Sequence, residues 1–224
     1  PVIELMAQTI PNTLILIGFA LIPISLGSVL GAFQQPSKRW DSVLVFLSVL
    51  PVVVLALLAA AVVELNFAGS GEDGLGYWVR MMAAALTLGI ADGALSGSIL
   101  GNRSMFEQEN QQRYVGISIL RGETNFSNTL PNLAGALVGQ YRSRIVQLLS
   151  GAVIVEVIVR VDGFGALLWR GTLMQDFGVV LAAATVFACL SSGLLFFQAL
   201  VEVLQNLHQR RAPKLNFEDA EVLR

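Results

Sequence analysis

Long apolar runs separated by short polar stretches dominate the chain. Five of these runs approach or exceed the roughly 20 apolar residues that a helix needs to cross a bilayer. They cover residues 11–33, 42–65, 78–100, 133–159 and 178–205. Pro23 and Pro51 fall inside the first two runs, and we interpret both as kinks, which membrane helices tolerate. The pattern predicts an all-α fold in which residues 1–224 form one polytopic bundle of membrane helices.

The composition agrees with a membrane protein. Hydrophobic residues make up 54% of the chain and charged residues 13%, whereas an ordinary soluble domain carries about 25% charged residues. The mean hydropathy is +0.68. A soluble protein with an unusually apolar core is the alternative interpretation. The net charge of −2 gives no reason to expect a nucleic-acid partner.

Candidate chemistry is scarce in the sequence. Cys189 is the single cysteine and lies in an apolar run, while His208, the single histidine, lies in the polar tail. No pair of these residue types has the spacing of a metal site, and no nucleophile has a histidine base in a catalytic pattern. We therefore expect no catalytic residue, no metal and no cofactor in this chain. The phosphate-binding pattern G-x-x-x-x-G-K-[ST] does not occur, so any ATP would be bound by a partner.

The charges between the apolar runs predict the orientation of the chain. Lysine and arginine occur in the loop 34–41, in segment 101–132 and in the tail after residue 205. The positive-inside rule places these parts on the cytoplasmic side of the membrane. The N-terminus and the loops 66–77 and 160–177 then face outward.

Segment 101–132 is the longest polar stretch between two apolar runs. Within it, QRYVGISILRG is typical of a short helix closed by Gly122. One face of that helix carries Tyr114, Ile117, Ser118 and Arg121. A second short element is predicted from Thr124 to just before Pro131. Two short helices between membrane spans would form a knob for a cytoplasmic partner, and an ordinary linker is the alternative.

Four stretches of the sequence carry recognisable motifs. They are PVIELMAQTIPNTLILIGFAL with its Pro-x-Thr-Leu, LSVLPVVVLALL, RYVGISILRG, and LLSGAVIVEVIVRVDGFGALLWRGTLMQDFGVV. Together they resemble the inner-membrane permease subunit of bacterial ABC importers of the dipeptide and oligopeptide class. The last stretch is the most similar, with Leu-x-Gly-Ala-Val-x-x-Glu, then Gly-Phe-Gly, then an aspartate before the final span. The resemblance implies a type I ABC importer transmembrane domain with five of the family's six spans, the first span being missing.

The resemblance also implies a function and partners. The chain would be the permease subunit of an ATP-driven importer in a bacterial inner membrane, moving peptides or similar small solutes by alternating access. Its partners would be a second homologous permease, two cytoplasmic ATPase subunits that bind the ATP, and an extracytoplasmic substrate-binding protein. Coupling to the ATPase would involve Tyr114, Ser118, Arg121 and Gly122. Ser118 stands where the family usually has alanine, and the stretch from Gly122 to Asn132 is shorter than usual, so the chain is divergent there.

Glu156 is an acid inside an apolar run, near the outer end of the predicted fourth span. A charge at the bilayer centre costs about 2.5–3.5 kcal/mol on insertion scales. We therefore expect Glu156 to face the bundle interior and to accept backbone N–H groups from the turn at Gly163, Phe164 and Gly165. In this interpretation Glu156 holds a re-entrant segment, residues 162–175, that forms the outer gate. A carboxylate that reaches the interface without a gating role is the alternative.

Asp92 is the second acid within an apolar run. Gly89, Gly93 and Gly97 recur every four residues beside it and predict a close-packing helix face. Asp92 is a candidate pore residue that contacts a charged substrate, or it forms a hydrogen bond that joins two helices. The residues leave both interpretations open.

Two other classes of function remain open from the sequence. An ion-coupled secondary transporter or channel would have charges near the membrane centre and broken helices, as Asp92 and the two prolines suggest. However, no internal repeat is visible. A structural membrane subunit that has lost transport is the third class, and the shortened coupling segment is its support.

Overall fold

The computed structural model describes residues 2–33, 38–67, 74–120 and 125–211. These residues are nearly all helical, and no strand occurs among them. The all-α membrane fold predicted from the sequence is confirmed. The α-helices are α1 (Val2–Phe33), α2 (Lys38–Ser48), α3 (Val52–Phe67), α4 (Gly74–Ile90), α5 (Ala94–Asn110), α6 (Arg113–Leu120), α7 (Asn125–Val159), α8 (Phe164–Leu173) and α9 (Phe177–Arg211). A 3₁₀ turn, Ala91–Gly93, joins α4 to α5.

The core lies where α1, α3, α4 and α7 meet. Its fully buried side chains include Leu16, Ile24, Met81, Leu148 and Val155. The outside of the bundle is also apolar, since Leu181 and Phe196 of α9 are 71% and 72% exposed. Water would not favour that surface, whereas lipid tails would accept it.

Three helices in the described part of the chain are long and apolar enough to cross a membrane. They cover Glu4–Gly31, Leu75–Asn110 and Phe177–Leu204. The bent pair of α2 and α3 is a fourth if its two halves belong to one span. Helix α7 contains the predicted span 133–159 but is not among them, because glutamine and arginine side chains interrupt its apolar run. The five-span topology stays a prediction.

Pro51 breaks the predicted second span and does not merely kink it. Helix α2 ends at Ser48, α3 begins at Val52, and the two axes differ by 89°. Proline has no N–H to donate and disfavours the helical conformation of Leu50 before it, so a helix stops there readily. Pro23, by contrast, lies inside the continuous helix α1.

Segment 101–132 is more helical than predicted. Helix α5 continues to Asn110, and α6 forms over Arg113–Leu120 as expected. The second short element is wrong, because α7 begins at Asn125 and continues through Pro131 to Val159. Pro131 is the seventh residue of α7, so it removes one N–H from the second turn of the helix, a loss that membrane helices tolerate. The predicted cap, Gly122, lies outside the described residues, as does Arg121.

Polar contacts at the two ends of the bundle join segments that the predicted topology places on the same side. At one end, Arg103 of α5 pairs with Asp41 of α2 at 2.8 Å. At the other, Glu64 of α3 lies 3.7 Å from both Arg80 and Arg160. Which end faces the cytoplasm stays a prediction from the distribution of basic residues.

Candidate functional site

The candidate outer gate begins where α7 ends. Arg160 adopts a left-handed conformation with φ of 60° directly after the helix. The N–H of Val161 then donates to the carbonyl oxygen of Glu156 at 2.9 Å, the long-range bond of a Schellman-type helix end. This turn reverses the chain and directs α8 back along the last two turns of α7.

The first N–H groups of α8 are capped by side chains from other helices. Gly165 and Ala166 donate to the Oε2 atom of Glu156, at 2.7 and 3.1 Å. Phe164 donates to the hydroxyl oxygen of Thr13 at 2.7 Å, and that hydroxyl donates to the Oε1 atom of Glu156 at 2.6 Å. A helix start presents unpaired donors and a partial positive charge, so a carboxylate is a favourable cap. One carboxylate thus joins α1, α7 and α8.

The gate is closely packed around the carboxylate. Glu156 is fully buried. A Cβ atom on Gly163 would lie 2.2 Å from the Cδ atom of Glu156, and one on Gly165 would lie 2.5 Å from the Cα atom of Val153. Only glycine leaves room for such approaches, which explains both glycines of the Gly-Phe-Gly motif.

Phe164, between these glycines, points into the bundle. It is 2% exposed and packs with Met6 of α1 and Ala183 of α9. Its ring centroid lies 5.1 Å from that of Phe187. The side chain therefore anchors α8 to α1 and α9 through apolar contacts, beside the polar contacts of Glu156.

Of the three predicted backbone donors to Glu156, only the N–H of Gly165 is confirmed, and the second observed donor is Ala166. Gly163 donates to the carbonyl of Val161 at 2.9 Å, and Phe164 donates to Thr13. Sequence reasoning missed Thr13, although it is the threonine of the Pro-x-Thr-Leu motif. Two features of the sequence pointed to Thr13. An acid inside an apolar run needs hydrogen-bond donors, and a threonine stands in a second recurring motif. The gating role of these residues stays a prediction.

A cleft of about 660 Å³ opens beside the gate. Glu156 and Ala166 form part of its wall, and three arginines line it: Arg80, Arg160 and Arg170. Asp162 pairs with Arg170 at 2.6 Å. A polar, partly neutralised cleft at this position would suit the entrance to a transport path.

Asp92 joins the two helix breaks. It adopts a left-handed conformation with φ of 49° in the turn between α4 and α5. Its N–H donates to the carbonyl of Leu50 at 3.1 Å, and its Oδ1 atom accepts the N–H of Val52 at 3.1 Å. Asp92 thus caps α3 at the position where Pro51 interrupts the helix. These contacts support the helix-joining interpretation, and the pore contact stays a prediction.

The three glycines near Asp92 do not form the single packing face that was expected. Gly89 lies against Ala20 of α1, Gly93 against Ser48 of α2, and Gly97 against the Arg144 guanidinium of α7. The reason is the break at Ala91–Gly93, which rotates α5 relative to α4. Each glycine therefore serves a different neighbour.

Of the candidate coupling residues, Tyr114 and Ser118 lie on α6, at the opposite end of α7 from Glu156, whereas Arg121 and Gly122 lie outside the described residues. Tyr114 donates to Glu109 of α5 and accepts from Asn132 of α7 at 2.9 Å. Partial burial, and then the bond to Glu109, raise the pKa of Tyr114 above 10.0, so the phenol stays a donor. Val115 is fully buried, whereas Ile117 and Leu120 are 53% and 88% exposed. The helix is therefore anchored through Tyr114 and Val115, and its other side exposes Ile117 and Leu120 beside Arg113. Ser118 lies within α6.

Residues 20–211 match the family of binding-protein-dependent transport system inner membrane components. The chain belongs to this family. It is an importer permease subunit of the ABC transporter class, a component of membrane transport and not a catalytic enzyme. No curated protein matches the chain. ATPases and a binding protein are the general partners of such permeases.

Membership of the permease family agrees with where the structure places polar side chains. Among the described residues, no group of three or more histidine, cysteine, aspartate or glutamate side chains could hold a metal ion. Polar residues of the permease lie at the turn after α7, at the paired helix breaks, around α6 and halfway along α7. These are positions where helices meet.

Proposed function

We propose that this permease moves peptides or similar small solutes inward by alternating access. A second homologous permease would complete the path, two cytoplasmic ATPase subunits would supply energy, and an extracytoplasmic protein would deliver the cargo. The resemblance of the motifs to the dipeptide and oligopeptide class supports the choice of cargo. The bacterial inner membrane is the location that goes with it.

The observation that carries the mechanism is the continuity of α7. This helix has 35 residues, and at 1.5 Å per residue it is about 52 Å long. Its first turns contact α6 through Asn132 and Tyr114, and its last turns hold Glu156. A rigid helix of this length would carry a displacement at α6 to the contacts that hold α8.

The exposed apolar face of α6 suits a docking role. Ile117 and Leu120 offer apolar surface, while Tyr114 fixes the helix to α5 and α7. A helix inserted into a cleft of an ATPase would bury that surface, and the anchored side would transmit the motion. Arg121 and Gly122, which follow directly, are proposed to complete the docked segment.

The experiment compares two variants that add one negative charge each. Ile117→Asp places the charge on the exposed face of α6, and Gln111→Asp places it at an exposed position before α6. The complex of both permeases and the ATPases is reconstituted in vesicles with the binding protein and a tripeptide mixture. We expect Ile117→Asp to abolish ATP-driven uptake while ATP hydrolysis continues, and Gln111→Asp to retain uptake.

Two results would contradict the proposal. Unchanged uptake by Ile117→Asp would remove α6 from the coupling path. Uptake of no peptide by the unmodified complex, although the binding protein stimulates its ATPase, would show that the cargo is of another class.

A further inference from the structure

Helix α7 carries a polar stripe halfway along its length. Gln140, Arg144 and Gln147 are spaced four and three residues apart, so they lie on one face of the helix. This face is turned toward α5. The Nε2 atom of Gln140 lies 3.5 Å from the carbonyl oxygen of Gly97. A Cβ atom on Gly97 would lie 2.4 Å from the Nη2 atom of Arg144.

The stripe lies beside the middle of a candidate membrane span. Gln147 donates to the carbonyl oxygen of Asp92 at 2.9 Å. Asp92 is at the middle of the candidate span Leu75–Asn110. An arginine at this depth on a lipid-facing surface is costly, so such residues face a bundle interior or a water-filled cavity.

The Arg144 guanidinium is held in place by a neutral group. Its Nη1 atom donates to the Oε1 atom of Gln147 at 2.9 Å, and Gln147 is itself fixed by Asp92. The amide orients the guanidinium without neutralising its charge. A guanidinium has five N–H donors, and the bond from Nη1 to Gln147 is the only one of Arg144 among the described residues.

Arg144 lacks an acid partner within the described part of the chain. No carboxylate of these residues forms an ion pair with it. Its Nε atom is buried and has no acceptor there, and the same is true of the Arg142 Nε atom. A buried charged donor without an acceptor is costly, and the cost is removed when an anion binds.

We propose that Arg144 binds an oxyanion of the cargo, a carboxylate or a phosphate, halfway across the membrane. This inference rests on the proposed transport function. The planar guanidinium suits two parallel hydrogen bonds to such a group. Positioning by an amide also suits transport, because a fixed acid would occupy the site permanently, whereas a cargo anion must bind and leave.

The test is labelling of the Arg144 guanidinium by phenylglyoxal in the assembled complex in lipid nanodiscs, followed by mass spectrometry. The probes are trialanine, trialanine amide, which lacks the carboxylate, and inorganic phosphate. We expect trialanine, at about ten times its dissociation constant, to slow labelling of Arg144 about tenfold, because only the unoccupied site reacts. Trialanine amide should leave the labelling rate of Arg144 unchanged. Neither trialanine nor its amide should slow the labelling of Arg142.

A matched pair of variants tests the position of the guanidinium. Gly97→Ala places a methyl group against Nη2 and displaces the guanidinium while Arg144 itself remains, so protection by trialanine should be lost. Gly18→Ala is the control, because a Cβ atom at Gly18 meets nothing within 4 Å. In the Gly18→Ala complex, trialanine should protect Arg144 from labelling as well as it does in the unmodified complex.

The outcomes separate this inference from the proposed function, because labelling requires no turnover. Protection by phosphate alone would support the oxyanion site and contradict the peptide cargo. Equal protection by trialanine and its amide, equal protection of Arg142, or no protection by any probe would overturn the inference. An Arg144 that is unreactive without a probe would also overturn it, since the partner permease would then occupy the guanidinium.

Discussion

Thr13 and Glu156, which are 143 residues apart in the chain, share a buried hydrogen bond of 2.6 Å. The same threonine oxygen accepts the N–H of Phe164 at 2.7 Å. Helix α8 is therefore capped jointly by α1 and α7, and neither helix can move away without exposing donors of α8. This is the contact that an opening of the outer gate would have to break.

We expect Thr13→Val to destabilise the gate, because the N–H of Phe164 then loses its acceptor. The cost of one unsatisfied buried donor is about 1–3 kcal/mol. Thr13→Ser retains the hydroxyl and serves as the control. The measurement is the thermal unfolding midpoint of the purified complex, together with its basal ATPase rate, which should rise with a looser gate. Equal behaviour of the two variants would mean that the hydroxyl is unimportant.

Glu156→Gln should be mild, and Glu156→Leu should be severe. An amide oxygen can still accept from Gly165 and Ala166, whereas leucine leaves both N–H groups without an acceptor, at about 1–3 kcal/mol each. Uptake and basal ATPase are measured for both variants. If Gln and Leu damage uptake equally, Glu156 serves as a charge for cargo or protons. If neither variant changes uptake or basal ATPase, the gating interpretation is wrong.

Gly163→Ala should disrupt the gate by steric overlap. The added methyl would lie 2.2 Å from the Cδ atom of Glu156, and that carboxylate is held by three donors. Overpacking of this kind costs typically about 1–3 kcal/mol. Gly193→Ala is the control, since its methyl meets nothing within 4 Å. A stability for Gly163→Ala that matches the control would show that the turn is more adaptable than its contacts indicate.

Substitutions at Asp92 distinguish a hydrogen bond that joins two helices from a pore contact with a charged substrate. Asparagine retains an oxygen for the N–H of Val52 and tolerates the left-handed conformation, so Asp92→Asn should leave the unfolding midpoint nearly unchanged. Asp92→Ala should lower the free energy of unfolding by about 1 kcal/mol through the loss of the cap. The left-handed backbone at alanine should lower it by about 1–2 kcal/mol more. Uptake is measured alongside stability. Loss of uptake in the stable Asn variant would favour the pore contact.

The sequence by itself determined the class of protein and the local features of the gate. Long apolar runs require helices in lipid, because each helix pairs its own backbone groups. The same reasoning predicted donors for Glu156, since an acid in an apolar run needs them, and the nearby glycines allowed the approach. Both inferences depend on residues close together in the chain, so no knowledge of packing was needed.

Only the tertiary structure decided which distant groups complete these features. Thr13 joins the gate because α1 packs beside the end of α7, and no spacing in the sequence encodes that distance. Pro51 becomes a full break because Asp92, on a neighbouring helix, supplies the cap that the broken helix lacks. No prediction for Arg144 followed from the sequence, because its orientation depends on Gln147 and the carbonyl of Asp92. Helix packing decides which partners a side chain meets. That packing results from many weak contacts across the whole bundle, so it cannot be predicted from any one segment.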